Sequence, residues 1–477
     1  PTPKSMKIAA PALLLTLAAS SSSAGAFSPR SLSSASAGAS QSRRPFFPPY
    51  DDGDGLSMVS QQAEQPPTDK SNYPTYGEWS PTSWTAKEDP LSPEFDDDER
   101  LSSALRRLHR CAPLVFAGEV RSLSEKLGRA CRGQGFVLMG GDSLETFDDF
   151  HVDRVRDTFR VLLQMALVLT FGGGLPVIKV GKMAGQFVKS ASTPDGFGTV
   201  ETRDGTTLLS YVGDMINSSP FDPESRRHDP FNMVEAYHQS SQTLNILRAF
   251  SAGGYASMSR LHAWNLDFAE ETEEGSRYRK FASKVDESLR FNRAIGIDTN
   301  DPVFERVDFY TGHDCRCLHY EGALTREDSI SGNYYDCSAH LLVLGDEAKD
   351  PNCAHVEFAR GVNNPLAVRV TEGWTPSDLV GAVNALNPLN EVGKIAVKVH
   401  MSPEAIQNNL PGLIRAVQRE SLSVLWIADP GYGDVREAED GCLLSRDFEG
   451  IRSQLRAYFD VMETTGAHPG GVSLDMT

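Results

Sequence analysis

A chain of 477 residues has room for one large barrel-type domain with extensions, or for two or three smaller domains. Forty-six basic against 64 acidic side chains give a formal charge of -18, which argues against general nucleic-acid or anionic-membrane binding and requires a local basic pocket for any anionic substrate. Seven cysteines, an odd number in a chain this long, read as free thiols of a reducing compartment rather than as a disulfide framework.

In chain order, residues 1–44 read as an address. Lys7 is followed by the apolar run Ile8 to Ala19, then by small residues up to Ala24-Gly-Ala-Phe-Ser-Pro-Arg30, the layout of a signal peptide; the run is too short to span a bilayer. Ser28 to Arg44 is rich in Ser and Arg without an acid, like a transit peptide, and the pair is similar to the two-part presequences of algae with secondary plastids. A plastid stroma is the expectation, with secretion as the alternative. Residues 45–98 are rich in Pro, Ser and acids and predict a disordered linker followed by an irregular arm without a core.

From residue 99 short apolar runs alternate with helical patterns, which predicts a parallel sheet. The strands expected are Phe136–Gly140, Pro176–Gly181, Val307–Gly312, Leu341–Gly345, Leu366–Val370, Ile395–Val399, Val424–Ala428 and Val472–Leu474. Eight is the number a closed (β/α)8 TIM barrel needs. Val155–Leu169, Met233–Leu247 and Arg277–Leu289 carry helical spacing. The apolar stretch Val161 to Val180 contains Gln164, three glycines and Pro176 and reads as a buried helix running into a strand, not a membrane span. The eighth run lies at the end of the sequence, so its covering helix is missing; a truncated gene model is the reading, a genuine shortening the alternative. His313, Cys315, Cys317 and His319 alternate. An extended segment would spread them over roughly 20 Å, too far for one zinc ion.

Chemistry in such barrels sits just past the strands. The polar residues there are Asp142, Ser143, Lys182, His313, Asp314, Asp346, Glu347, Arg369, His400, Asp429, Tyr432 and Asp475, with Lys189 a little further on. Acids, imidazoles and cations together suit a phosphorylated substrate or a metal.

The words PLVFAGEVRSL (Pro113 to Leu123), GGDSLETF (Gly140 to Phe147), PVIKVGKMAGQF (Pro176 to Phe187), AGGYA (Ala252 to Ala256), YDCSAH (Tyr335 to His340), AHVEFARGV (Ala354 to Val362) and HPGGV (His468 to Val472) carry a family resemblance. Together they resemble the plant-type (class II) 3-deoxy-D-arabino-heptulosonate 7-phosphate (DAHP) synthases, which open the shikimate pathway to aromatic amino acids. The resemblance spans residues 99–477, truncated after strand eight, and implies a transferase that condenses phosphoenolpyruvate with erythrose 4-phosphate, with a divalent metal, manganese or cobalt, polarising the aldehyde. It also implies homo- or hetero-oligomers formed with a synthase.

Carried over residue by residue, the family's metal ligands fall on Ser143 (its GGDC cysteine), Tyr432 (its DPMHG histidine) and Asp475 (its HLEMT glutamate), with the fourth beyond the sequence. Serine and tyrosine hydroxyls are poor substitutes for thiolate and imidazole. The family's substrate cations fall on Lys182, Lys189 and Arg369, its GERTR word on Gly345-Asp346-Glu347-Ala348-Lys349, and its arginine before Met-Gly on His400. Charge survives at the first three positions, whereas Glu347 reverses it. Asp346 and His400 are the residues that would have to carry proton transfer. The structural words stay close to the family while the site words depart from it, so turnover by this chain is expected to be low or absent. The alternative to a working synthase is a catalytically silent paralogue that binds or regulates an active one.

Overall fold

The computed structural model describes residues 78–87, 92–189, 197–252, 307–432, 435–437 and 444–476, with isolated positions between 283 and 295. The leader 1–44, most of the linker, most of the expected helix Arg277–Leu289 and Ser190 to Ser192 lie outside the described residues.

Eight parallel strands close into a barrel: β1 (Phe136–Gly141), β2 (Val177–Lys182), β3 (Tyr310–Asp314), β4 (Leu341–Leu344), β5 (Leu366–Val370), β6 (Ile395–Val399), β7 (Val424–Ala428) and β8 (Pro469–Asp475). Each pairs with its neighbour in sequence, and β8 closes on β1 through Val137 opposite Gly471 to Gly141 opposite Asp475. The (β/α)8 barrel expected from the rhythm of apolar runs is therefore the fold. β5, β6 and β7 match their expected bounds, and β3 lies a few residues later than expected.

Nine helices are described: α1 (Asp98–His109), α2 (Ala117–Cys131), α3 (Val152–Gly173), α4 (Asn232–Ala252), α5 (Leu318–Leu324), α6 (Ala354–Ala359), α7 (Pro376–Leu386), α8 (Pro403–Arg419) and α9 (Phe448–Thr465). Their starts are written locally. Thr375 and Asp378 form a reciprocal capping box at α7, and Ser402 caps α8 by accepting from the Ala405 amide at 3.2 Å, each with proline in the first turn. α3 takes up the first part of the apolar stretch Val161 to Val180 and stops at Gly174 in a left-handed conformation (φ 67°), and β2 takes up the rest. Among the described residues no helix is long and apolar enough to cross a membrane.

Strand alternation divides the core in two. Outward residues such as Leu138, Val368, Val397, Trp426 and Val472 pack under the helices. Inward residues Val137, Met139, Ile178, Val180, Leu341, Val343, Ala367, Ala396, Leu425 and Ile427 fill the lower barrel together with Leu123, Leu127 and Ala130 of α2. α2 thus lies across the N-terminal mouth and plugs it with aliphatic side chains.

One expectation needs correction. The arm was expected to contribute no core, yet Trp84 is buried in the outer core and Trp79 donates from Nε1 to the Glu357 carbonyl at 2.9 Å, its ring 5.1 Å from that of Tyr334. Tryptophan surface is large enough to anchor a polar arm to a finished domain. The alternating His/Cys run, read as ordinary strand and loop residues rather than a zinc site, starts on β3, which ends at Asp314, and passes through a turn into α5, which starts at Leu318. His313 Nε2 meets Glu321 Oε1 at 2.9 Å, Cys317 Sγ approaches Met233 Sδ at 3.7 Å, and the His319 ring packs edge-on against Trp84. No group of three or more metal-ligating side chains occurs among the described residues.

A Cβ at Gly361 would lie 1.9 Å from the Trp79 ring. Gly361→Ala is therefore expected to expel Trp79, lowering stability by about 1–3 kcal/mol in urea unfolding and altering tryptophan emission in the native state.

Candidate functional site

The alternation that fills the lower barrel with aliphatics changes character toward the C-terminal ends. The inward series run Ile178, Val180, Lys182 on β2; Ala367, Arg369 on β5; Ala396, Lys398, His400 along and just past β6; and Leu425, Ile427, Asp429 along and past β7. Gly471, Ser473 and Asp475 continue the pattern on β8. On β2, β5, β6 and β7 the charge stands above an apolar base, and on β8 above Gly471 and Ser473, so the cations and acids share one layer near the barrel axis.

Asp429 organises that layer. Its Oδ2 lies 3.1 Å from Arg369 Nε, 3.3 Å from Lys398 Nζ and 3.5 Å from His400 Nδ1, and all four side chains are largely or wholly buried. Burial works against the Asp429 carboxylate, but Lys398, Arg369 and His400 outweigh it and hold its pKa far below the ordinary carboxylate range. Burial also pulls the Lys398 ammonium down to about 8 against the attraction of Asp429, and lowers the His400 imidazolium in the same way. His400 Nδ1 is 3.0 Å from the Asp429 carbonyl, which can only accept; Nδ1 therefore carries the proton and Nε2 is the acceptor nitrogen of the neutral ring.

A second pair, Lys182 and Asp475, forms a short ion pair between β2 and β8, with the Lys182 side chain 2% exposed. Asp314 and Gln186 exchange two hydrogen bonds, at 2.9 and 3.0 Å, which tie the end of β3 to the loop after β2. That loop is pegged by Glu145, whose carboxylate accepts from the Ala184, Gly185 and Gln186 amides at 3.0, 2.9 and 2.8 Å. Gly185 has φ 146°, and a Cβ there would sit 2.4 Å from His313 Nδ1, so only glycine lets the loop pass over the imidazole.

The remaining candidate residues lie apart from this layer. Lys189 is exposed; its Nζ stands 5.2 Å over the Tyr211 ring, on the wall of a cavity of about 500 Å³ whose other cations are Arg203, Arg226 and Arg316. Glu347 accepts from the Gly345 amide at 2.6 Å and so closes its own turn. Asp346 accepts from Trp374 Nε1 at 2.7 Å and Thr371 Oγ1 at 3.0 Å, and its side chain is half-exposed. Ser143 is half-buried just past β1.

The donor chemistry of the three positions that the resemblance implied for a metal does not fit a divalent ion. Asp475 is already paired with the Lys182 ammonium. Tyr432 is exposed, its ring lies edge-on 5.6 Å from His400, and slight burial together with Glu372 raises its phenol further from ionisation. Ser143 adds a hydroxyl that stays protonated. A serine, a protonated phenol and a carboxylate neutralised by lysine do not make the anionic or imidazole donor set such an ion requires.

Sequence reasoning passed over two of the residues that build this site. Lys398 stands inside an apolar strand, and its legible signal was parity: in Ile-Ala-Val-Lys-Val it shares a face with Ala396 and His400. Glu145 carried no signal, because its partners are backbone amides.

Removing the Asp429 charge by Asp429→Asn would leave Arg369 and Lys398 buried without their counterion. A loss of about 3–5 kcal/mol at neutral pH is expected in denaturant titration. Because the folded-state pKa is depressed, the Asp429 contribution is fully present above the unfolded-state value of about 3.9 and is lost as pH falls toward the folded value. The gap between wild type and variant should therefore shrink as the pH is lowered through the acid range.

Comparison with known proteins accords with this barrel. The sequence profile of the class-II DAHP synthetase family matches residues 79–477. The phospho-2-dehydro-3-deoxyheptonate aldolase of Streptomyces coelicolor is 38% identical over 385 residues, covering 81% of this chain and 84% of that protein. The probable chloroplastic phospho-2-dehydro-3-deoxyheptonate aldolase of Catharanthus roseus is 39% identical over 394 residues, 83% of this chain and 74% of that one. A solved phospho-2-dehydro-3-deoxyheptonate aldolase from Francisella tularensis aligns over 82% of this chain and 85% of that one at 11% identity with a TM-score of 0.35, too distant to add to the argument. With a profile match across the whole barrel and relatives at this level of identity, the chain belongs to the class-II DAHP synthetase family.

Proposed function

We propose that this chain binds phosphoenolpyruvate through Lys182 and Arg369 and a phosphorylated aldehyde, erythrose 4-phosphate in the family reaction, through the cavity beside Lys189, and that it forms DAHP slowly or not at all. The observation that carries this reading is the Lys182–Asp475 ion pair, which couples a substrate cation to a metal position and leaves both engaged. Arg369 is likewise held by Asp429, so an incoming anion has to displace a buried carboxylate before it gains either cation. The aldehyde also lacks the Lewis acid that would polarise it, since Ser143, Tyr432 and Asp475 do not offer a divalent ion its donors.

The same donor chemistry favours the second reading, a barrel that keeps the family fold and acts on a working synthase by associating with it. The composition of residues 1–44 and the chloroplastic relative support the plastid stroma as its location.

Calorimetric titration of the full chain with phosphoenolpyruvate should show saturable binding unaffected by a chelator. DAHP formation with manganese or cobalt should fall at least about a hundredfold below that of the Streptomyces relative, as expected where Lewis-acid stabilisation is missing. Chelator-sensitive turnover at the relative's rate would overturn the reading; absence of both binding and turnover, with a mixed oligomer formed on addition of an active synthase, would establish the second. A fluorescent protein fused behind residues 1–44 should accumulate in the stroma of a diatom plastid; appearance in the medium would indicate secretion instead.

A further inference from the structure

Lys398 has no role in either reading. It stands at the centre of the charged layer, wholly buried, between Arg369 on the neighbouring strand and the Asp429 carboxylate. Its Nζ makes no hydrogen bond among the described residues, and Asp429 Oδ2 at 3.3 Å is its close charged contact. That carboxylate does not depend on Lys398 for neutrality, because the Arg369 guanidinium, a permanent cation, donates to the same oxygen from Nε at 3.1 Å. Lys398 can therefore lose its proton without stranding a buried negative charge. Lys182 and Arg369, the other cations around it, oppose a third positive charge at the same depth. A lysine desolvated beside cations is the arrangement that yields an amine nucleophile.

We propose that Lys398 is a carbonyl-binding nucleophile that forms an imine with a small phosphorylated aldehyde drawn into the charged layer. The Nζ lone pair attacks the carbonyl carbon and forms the C–N bond while the carbonyl oxygen gains a proton. Loss of that oxygen as water leaves C=N, so one amine and one aldehyde give one imine and one water with no redox change. His400, two residues further along the strand on the same inward face, keeps Nε2 as an acceptor and serves as the proton carrier for the two transfers. Approach is from the C-terminal side, where the His400 and Asp475 side chains are 12% and 13% exposed, since α2 closes the other mouth. This activity needs neither metal nor phosphoenolpyruvate and does not rest on the reading above, so either can fail alone.

The test is reductive trapping on the full chain at pH 8 with glyceraldehyde 3-phosphate and cyanoborohydride, which delivers hydride to the imine carbon, followed by peptide mass mapping. Burial pulls the Lys398 ammonium down to about 8, so a larger share of it is neutral at that pH than of an ordinary lysine of pKa about 10.4, and Lys398 should be modified at least about tenfold faster than exposed lysines such as Lys87. The adduct should saturate with aldehyde, disappear in Lys398→Arg and Lys398→Met proteins that retain the wild-type circular dichroism, and form poorly with uncharged glyceraldehyde. Mapping on the wild type decides the matter even if the variants do not fold. Adducts spread over the surface lysines in proportion to exposure, no adduct on Lys398 in folded protein, or equal labelling by the uncharged aldehyde would overturn the proposal.

Discussion

The constraint on which the site depends is the parity of the barrel strands. A closed eight-strand sheet directs every second side chain toward its axis, where a buried charge needs a partner. The chain meets this by segregating along the axis. Aliphatics and the plug of α2 occupy the lower half, and acids and bases occupy the upper half as matched sets. Asp429 is the keystone, because one carboxylate oxygen compensates a guanidinium and an ammonium from two strands and touches the imidazole beyond them.

Internal matching has a chemical cost. Asp475 and Asp429 lie against the three cations of this layer, Lys182, Arg369 and Lys398, so an incoming carboxylate or phosphate competes with partners already in place. The aliphatic core lies below this layer and the charged groups lie above it, an arrangement a barrel permits because its packing and its strand ends are separate.

How much of this could be read in advance differed by element. β5, β6 and β7 were legible to the residue because apolar runs end at turn or polar residues on both sides. β3 slipped by a few residues since Val307 and Phe309 extend an apolar alternation ahead of the strand, and the hairpin Val200–Arg203 with Thr206–Leu209 is short and polar. Of the site, the residues past the strands were legible, but pairing was not: nothing local tells Lys182 that its partner lies 293 positions away. Asp346 and Glu347 read as members of the ring, yet hydrogen bonds to Trp374, Thr371 and the Gly345 amide engage them locally. Lys398 and the amide-pegging Glu145 show the opposite failure, where one residue in an apolar strand and one in a loop matter through partners far from them in sequence.

Among the described residues, the helix across the N-terminal mouth leaves the C-terminal side as the way into the barrel. Whatever settles deepest must have entered first and cannot depart until anything seated above it has gone. Kinetically such a chamber enforces order between two ligands without any conformational change. A compound bound near the rim would then behave as a stopper, slowing both arrival and escape of the molecule below while leaving its intrinsic affinity untouched.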